Sequence, residues 1–176
     1  DDVNEDVISQ SKITYLEGYL WDLDDAQVAI KKATKVAKEN NKIVAFSVSD
    51  VFCIERFKES FLSLINEEAD IIFANEEEIK SLLGTSDLDD SINIIKDRNK
   101  IFAITLGENG AMIINNEEVI KIDPQKIDNL VDTTGAGDLF AAGFLLKYIQ
   151  GQPREECGKE GVRFASKVIQ IYGARL

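Results

Sequence analysis

Short β-rich runs alternate with longer helical patterns along most of this chain, and nothing else in the sequence narrows its fold so far. Residues 13–20 (Ile-Thr-Tyr-Leu-Glu-Gly-Tyr-Leu) read as a strand. Ile43-Val44-Ala45-Phe46-Ser47-Val48 reads as a buried parallel strand, and Ile71-Ile72-Phe73-Ala74 and Ile101-Phe102-Ala103-Ile104-Thr105 follow it. Between them, residues 24–39 place Ala26, Ala29, Ile30, Ala33, Val36 and Ala37 on one helix face. Lys31, Lys32, Lys35 and Lys38 cover the other, which reads as plain solvation. Further helices are expected through Phe57, Phe61, Leu64 and Ile65, from Glu76 to Leu83 with Gly84 as the stop, and over residues 88–98 with Ile92 and Ile95 inward. Strands alternating with helices predict an α/β fold, a mainly parallel sheet with helices on both faces in a three-layer αβα stack. Ala111 to Asn115 and Val119 to Ile122 pattern a hairpin around Asn115-Asn116-Glu117-Glu118. A helix is expected to stop near Gly151, with Pro153 beyond, and a last one to run from about Glu155 to Ile171. No repeat, low-complexity tract or linker divides residues 1–176, which read as one unit.

Charge narrows the partners. The 176 residues carry a formal net charge of −12, which would repel nucleic acid or an anionic membrane surface. A nucleotide phosphate can still bind, because backbone N–H groups and a metal ion act at short range. The chain has no histidine, so a histidine triad, an imidazole base and a histidine-ligated zinc site are all excluded. Cys53 and Cys157 lie far apart and form no zinc or disulfide pattern, as expected of a cytoplasmic protein. No apolar run reaches the roughly 18 residues of a membrane span, and no signal peptide is visible. The chain opens Asp1-Asp2-Val3 without Met, as a fragment would.

The chemistry concentrates at residues 132–138, Asp-Thr-Thr-Gly-Ala-Gly-Asp, which run into the apolar stretch Leu139 to Leu146. Gly135 and Gly137, with only Ala136 between them, let the backbone pass close to a ligand and turn its N–H groups toward it. The helix behind adds the positive end of its dipole. Together they predict an anion hole suited to a phosphoryl group in transfer. Asp138, in the first helical turn, is too repulsive to be a phosphate ligand. It suits a base that takes the proton from an attacking hydroxyl. The same residues would also serve as a tight loop capping a buried helix.

Two further segments follow strands and would gather at the same sheet edge. Asn75 and Glu78 share a face of a starting helix, and an amide with a carboxylate can hold the water shell of Mg²⁺. They also fit an ordinary helix cap with an acidic first turn. Thr105-Leu106-Gly107-Glu108-Asn109-Gly110 reads either as a nucleotide border or as a plain glycine turn.

An Asn-x-x-Glu pair, a Thr-Leu-Gly-x-x-Gly turn and an Asp-Thr-x-Gly-Ala-Gly-Asp segment, in this order, resemble the PfkB, or ribokinase-like, family of carbohydrate and nucleoside kinases. The resemblance covers nearly all of the chain. It implies a ribokinase-like fold and transfer of the ATP γ-phosphoryl to an alcohol. By position it implies Asp138 as catalytic base, with Gly135, Ala136 and Gly137 forming the anion hole. It implies Asn75 and Glu78 organising phosphate and Mg²⁺, the latter through water. Thr105, Leu106, Gly107, Glu108, Asn109 and Gly110 would border the nucleotide. Asp132 and Thr134 match positions that bind a monovalent cation, such as K⁺, in many members. The resemblance also allows a homodimer.

Tyr15 to Asp22, Ser47 to Cys53 and Tyr172 to Arg175 look like a bacterial subgroup of adenosine and sugar kinases. The acceptor expected is therefore a nucleoside, adenosine first, with a sugar as alternative. Family members are about twice as long, and their first half supplies an acceptor Asp, a Gly-Gly turn and a β lid. None of these is present here. The chain then reads as the C-terminal part of such a kinase, or as an inert nucleotide-binding module.

Overall fold

The computed structural model describes residues 3–116 and 118–175; Glu117, expected in the hairpin turn, lies outside them. Six strands form one sheet in the order of the chain: β1 (Ile13–Glu17), β2 (Ile43–Ser47), β3 (Ile71–Asn75), β4 (Ile101–Thr105), β5 (Ala111–Asn115) and β6 (Glu118–Ile122). β1 to β4 are parallel, and β5 and β6 add an antiparallel hairpin. Among the described residues seven α-helices accompany them: α1 (Glu5–Gln10), α2 (Asp24–Glu39), α3 (Val51–Glu67), α4 (Glu76–Leu83), α5 (Leu88–Lys96), α6 (Ala136–Tyr148) and α7 (Arg154–Val168).

Every crossover from β1 to β4 moves one strand in the same direction. Right-handed connections must then place α2, α3, α4 and α5 on one face. The strands divide their side chains accordingly. Phe46, Ile72 and Phe102 join a first core with Ile30, Phe61 and Ile79, while Ala45, Phe73 and Ala103 join a second with Phe140 and Phe144 of α6. The result is the three-layer, ribokinase-like α/β fold, with α6 and α7 alone on the second face. Those two helices touch almost backbone to backbone. A Cβ on Gly143 would lie 2.6 Å from the Glu160 carbonyl, and one on Gly161 would lie 2.8 Å from the Phe140 ring. Phe73 of β3 fixes α6 above mid-sheet through edge-on contacts with Phe140 and Phe144, at 6.3 and 5.5 Å between centroids.

Local signals explain the element ends. Asn4 and Asp50 accept N–H bonds at the starts of α1 and α3. Gly84, at φ 70°, ends α4 in the left-handed conformation a glycine adopts without strain. Three expectations are corrected. The strand expected over 13–20 stops at Glu17, and Gly18–Asp22 coil into a 3₁₀ turn. Gly18 lies under the Val48 carbonyl and Phe61, where a Cβ would meet atoms at 2.7 and 2.9 Å. Turning there drops Trp21 against Phe61, 5.6 Å between rings, and burying each such ring is worth about 1.5–3 kcal/mol. The last helix ends at Val168 rather than near Ile171, because the Ile169 carbonyl turns to accept from Val131 and Asp132. Lys38 is more than solvation: it pairs with Asp70 at 2.9 Å, and the other Asp70 oxygen accepts from Val44 N–H.

Candidate active site

The parallel strands end on a common edge, where Glu17 lies beside Ser47 and Asn75 beside Thr105. Beyond that edge is a cleft of about 550 Å³, walled by Ser47, Ser49, Asn75, Glu78, Thr105 and the segment Thr133 to Asp138. The starts of α4 and α6 meet here from opposite faces of the sheet. Helices leaving on opposite sides open a crevice at the carboxyl edge, which is where α/β sheets bind ligands.

α4 begins directly after β3, and its first turn is closed by a reciprocal cap. Asn75 Oδ1 accepts from Glu78 N–H at 2.9 Å. Glu78 Oε2 accepts from Asn75 N–H at 2.8 Å, and Oε1 accepts from Asn75 Nδ2 at 2.6 Å. Both the cap and the cleft therefore draw on the same two residues. Burial pushes the Glu78 carboxyl above the ordinary glutamate range; the Asn75 N–H opposes this, and the charges of Asp50 and Glu77 add to it.

α6 begins differently. Gly135 stands at its cap with φ 77° and offers no side chain. Ala136 N–H donates to Thr133 O at 3.1 Å and Leu139 N–H to Gly135 O at 2.9 Å. The N–H groups between them, of Gly137 and Asp138, take no backbone acceptor among the described residues. A Cβ on Gly137 would meet nothing within 4 Å. No packing demand of the chain itself explains that glycine; open space over two unpaired donors at a helix start is what an anion needs. Asp138 is exposed beside them. Its carboxylate accepts no hydrogen bond from the described residues, so it does not cap the helix.

Glu17 also faces this region, although its pattern in β1 assigned it no role. Its carboxyl is raised, first by burial and then by the charge of Asp138. The buried phenol of Tyr15 is raised as well, by burial, then by Glu17 and, more weakly, by Asp138. Among the described residues no lysine or arginine lines the cleft. An anion held here must be neutralised by N–H donors and by a cation brought with it. Among the described residues no cluster of three or more His, Cys, Asp or Glu could hold a metal ion.

The structure brings Asn75, Glu78, Thr105, Thr134, Gly135, Ala136, Gly137 and Asp138 to one cleft. It does not bring the whole turn after β4. Leu106 packs against the first core. Gly110 is a packing glycine, φ 86°, whose Cβ would overlap the Ile122 carbonyl. Gly107, Glu108 and Asn109 form an exposed 3₁₀ turn outside the cleft wall. Asp132 lies behind the loop, with Oδ1 accepting from Thr134 N–H at 2.9 Å and Oδ2 from Gly173 N–H at 3.0 Å. Thr134 first, and then Gly173, hold its carboxyl below the ordinary range. Val131 and Asp132, expected from sequence to end a strand, do not end one. Their N–H groups bond to Ile169 O, and the segment 123–135 carries the chain from β6 across to α6. Tyr19, Ser47, Ser49, Phe73, Ala103 and Thr133 also line the cleft. Tyr19, Ser47 and Ser49 lie at or just past the carboxyl ends of strands, a positional signal that was available once the strands were assigned.

The profile described as "pfkB family carbohydrate kinase" matches residues 1–176. The chain belongs to this family. Among solved PfkB-type structures, a probable sugar kinase of Rhizobium etli is 43% identical with a TM-score of 0.96, over 99% of this chain and 53% of that one. An adenosine kinase of Sinorhizobium meliloti is 41% identical with a TM-score of 0.97, over 99% of this chain and 54% of that one. A cytidine kinase of Thermococcus kodakarensis is 34% identical over 118 residues, 66% of this chain and 42% of that protein. The chain thus spans about half the length of these PfkB relatives, or somewhat less.

Proposed function

We propose that this chain is the C-terminal, nucleotide-side part of an ATP-dependent kinase that phosphorylates an alcohol of a nucleoside, adenosine first. The observation that carries the reading is the α6 start, where two unpaired N–H groups and an open Gly137 lie beside the unpaired carboxylate of Asp138. In this reading Gly137 and Asp138 N–H groups hold the equatorial oxygens of the γ-phosphoryl. Asp138 accepts the proton of the acceptor hydroxyl as its oxygen bonds to phosphorus and the bond to the ADP oxygen breaks. Mg²⁺, when bound, spreads the charge of the phosphates. Glu78 would hold its water shell, and Asn75 would keep Glu78 in place. Asp132 and Thr134 would take a monovalent cation such as K⁺. The exposed 3₁₀ turn would border the nucleotide from outside the cleft.

The acceptor class rests on Tyr19. The residue is 56% exposed at the cleft rim, and its N–H is tied to Ser49 Oγ at 3.3 Å. Aromatic faces stack on nucleobases and gain about 1–3 kcal/mol each. The similarity to an adenosine kinase and a cytidine kinase points the same way; the equal similarity to a sugar kinase keeps a sugar as the second reading. The test is ADP release by the full-length protein with ATP, Mg²⁺ and a panel of nucleosides and sugars. We expect turnover with adenosine above any sugar. Turnover with sugars alone would move the assignment to the second reading, and none with any acceptor would leave an inert nucleotide-binding module.

Glu78 gives a pH signature. A raised carboxyl protonates at a higher pH than an ordinary glutamate, and the neutral form holds Mg²⁺ poorly. On acidification the Mg²⁺-dependent gain in ATP affinity should therefore start to fall at a higher pH than an ordinary glutamate would set. Glu78→Gln should show a smaller gain that varies less with pH. It should also lose roughly 1 kcal/mol of stability, because the amide can accept only one of the two Asn75 bonds. Calorimetric titration of ATP with and without Mg²⁺ across pH checks both. The same Mg²⁺ gain in the two proteins at every pH would remove Glu78 from the site.

A further inference from the structure

We propose that residues 170–175, which follow α7, act as a positioning strap that holds the signature loop in its phosphate-binding shape. The inference builds on the phosphoryl-transfer reading of the cleft. The segment doubles back across the loop and is joined to it at successive points. The Ile169 carbonyl just ahead of it accepts from Val131 N–H at 2.8 Å and from Asp132 N–H at 3.3 Å. Gln170 Oε1 accepts from Asp128 N–H at 3.0 Å, and Gln170 is itself held by donating to Ser166 O at 2.7 Å. Gly173 N–H reaches Asp132 Oδ2, whose partner oxygen accepts from Thr134 N–H. One carboxylate therefore ties the strap to the first residues of the anion hole. Ala174 then sits directly on Gly135, where a Cβ would lie 2.6 Å from the Ala174 methyl.

Two features separate this from ordinary packing. Residues 171–175 are all exposed, with Tyr172 at 88%, so the strap adds nothing to either core. Exposed substitutions of this kind usually leave stability almost unchanged. Its contacts fall instead on the Asp132–Gly135 stretch that sets the direction of the Gly137 and Asp138 N–H groups. A shift of about 1 Å in such groups can lower a rate about a hundredfold. The strap touches no reacting atom; it is anchored at Asp128 and reaches the anion hole through Asp132 and Gly135.

Gly173→Pro removes the N–H that Asp132 accepts and cannot adopt φ 85°. Gly173→Asn keeps the N–H and tolerates that conformation. In the full-length protein we expect Gly173→Pro to lower kcat about tenfold or more. The thermal midpoint should stay near that of the wild type, and Gly173→Asn should restore most of the rate. Amide hydrogen exchange over residues 133–138, followed by mass spectrometry, should quicken about tenfold in Gly173→Pro alone. Exchange that is unchanged, or a loss of rate matched by a loss of folded protein, would overturn the strap. A wild-type protein without kinase activity would overturn the kinase reading instead, and the exchange comparison would still decide for or against the strap.

Discussion

Asp138→Asn in the full-length protein is expected to lower kcat by roughly 10²–10⁴-fold while leaving ATP affinity and thermal midpoint close to the wild type. The factor is what a positioned base contributes when it takes a proton in the transition state. The amide keeps the size and shape of the carboxylate but accepts no proton. It also loses nothing structurally, since the Asp138 carboxylate accepts no hydrogen bond from the described residues and the cap position belongs to Gly135. A helix-cap role would give the reverse pattern: about 1 kcal/mol of stability lost and turnover per folded molecule preserved. Steady-state kinetics and thermal unfolding on one preparation distinguish the two. Turnover near that of the wild type would take the base assignment away from Asp138.

Gly137→Ala divides stability and activity in opposite directions. Gly137 lies inside α6 with helical backbone, and its added methyl would meet nothing within 4 Å. Replacing a helical glycine with alanine then stabilises, by up to about 0.5–1 kcal/mol. The same methyl would stand on the residue that supplies one of the two unpaired N–H groups. It holds an anion away from them, and losing such donors lowers the rate by about 10²–10³-fold. The variant should unfold at the same or a higher temperature and have a kcat/KM for ATP reduced to that extent. An unimpaired kcat/KM would show that no phosphate passes over Gly137. Gly135 offers no such separation, because its φ of 77° and its contact with Ala174 make any side chain costly to the loop itself.

The elements read most accurately from sequence were those whose ends carry their own chemistry. α2 spans the predicted 24–39, and α4 runs from the predicted Glu76 to the Gly84 stop. β4 and the hairpin strand β5 also fell where their patterns placed them, and β6 starts only one residue earlier. The misses came from contacts between distant residues. Nothing local announces that Gly18 lies under Val48 and Phe61, so the turn after Glu17 read as continuing strand. The helix kink at Phe57, φ −125°, was equally silent. Within the cleft, the spacing of Asn75 and Glu78 and the Gly135–Gly137 pair were legible because short motifs fix them. Glu17 was not, since its place beside Asp138 depends on β1 at the edge and α6 over the middle of one sheet. The role of Asp132 as a joint between two segments depends on Gly173, 41 positions later, which no spacing rule reaches.

The unreversed strand order has a consequence for how the molecule is made. Each strand pairs with the one before it, so the sheet and its first helical layer can zip up in step with synthesis, each new contact closing a short loop. α6 and α7 break this sequence. They emerge after β6 and must travel back over the middle of a finished sheet to seat Phe140 and Phe144 on Phe73. The second face of β2 to β5, with Ala45, Phe73, Ala103 and Ile113, stays bare until they arrive. A nascent chain at that stage is sticky and also lacks the proposed phosphate cradle and its base, for both are built from the same helix that covers the exposed face. Docking of α6 would therefore cover that face and bring the proposed cradle to the sheet edge in one step.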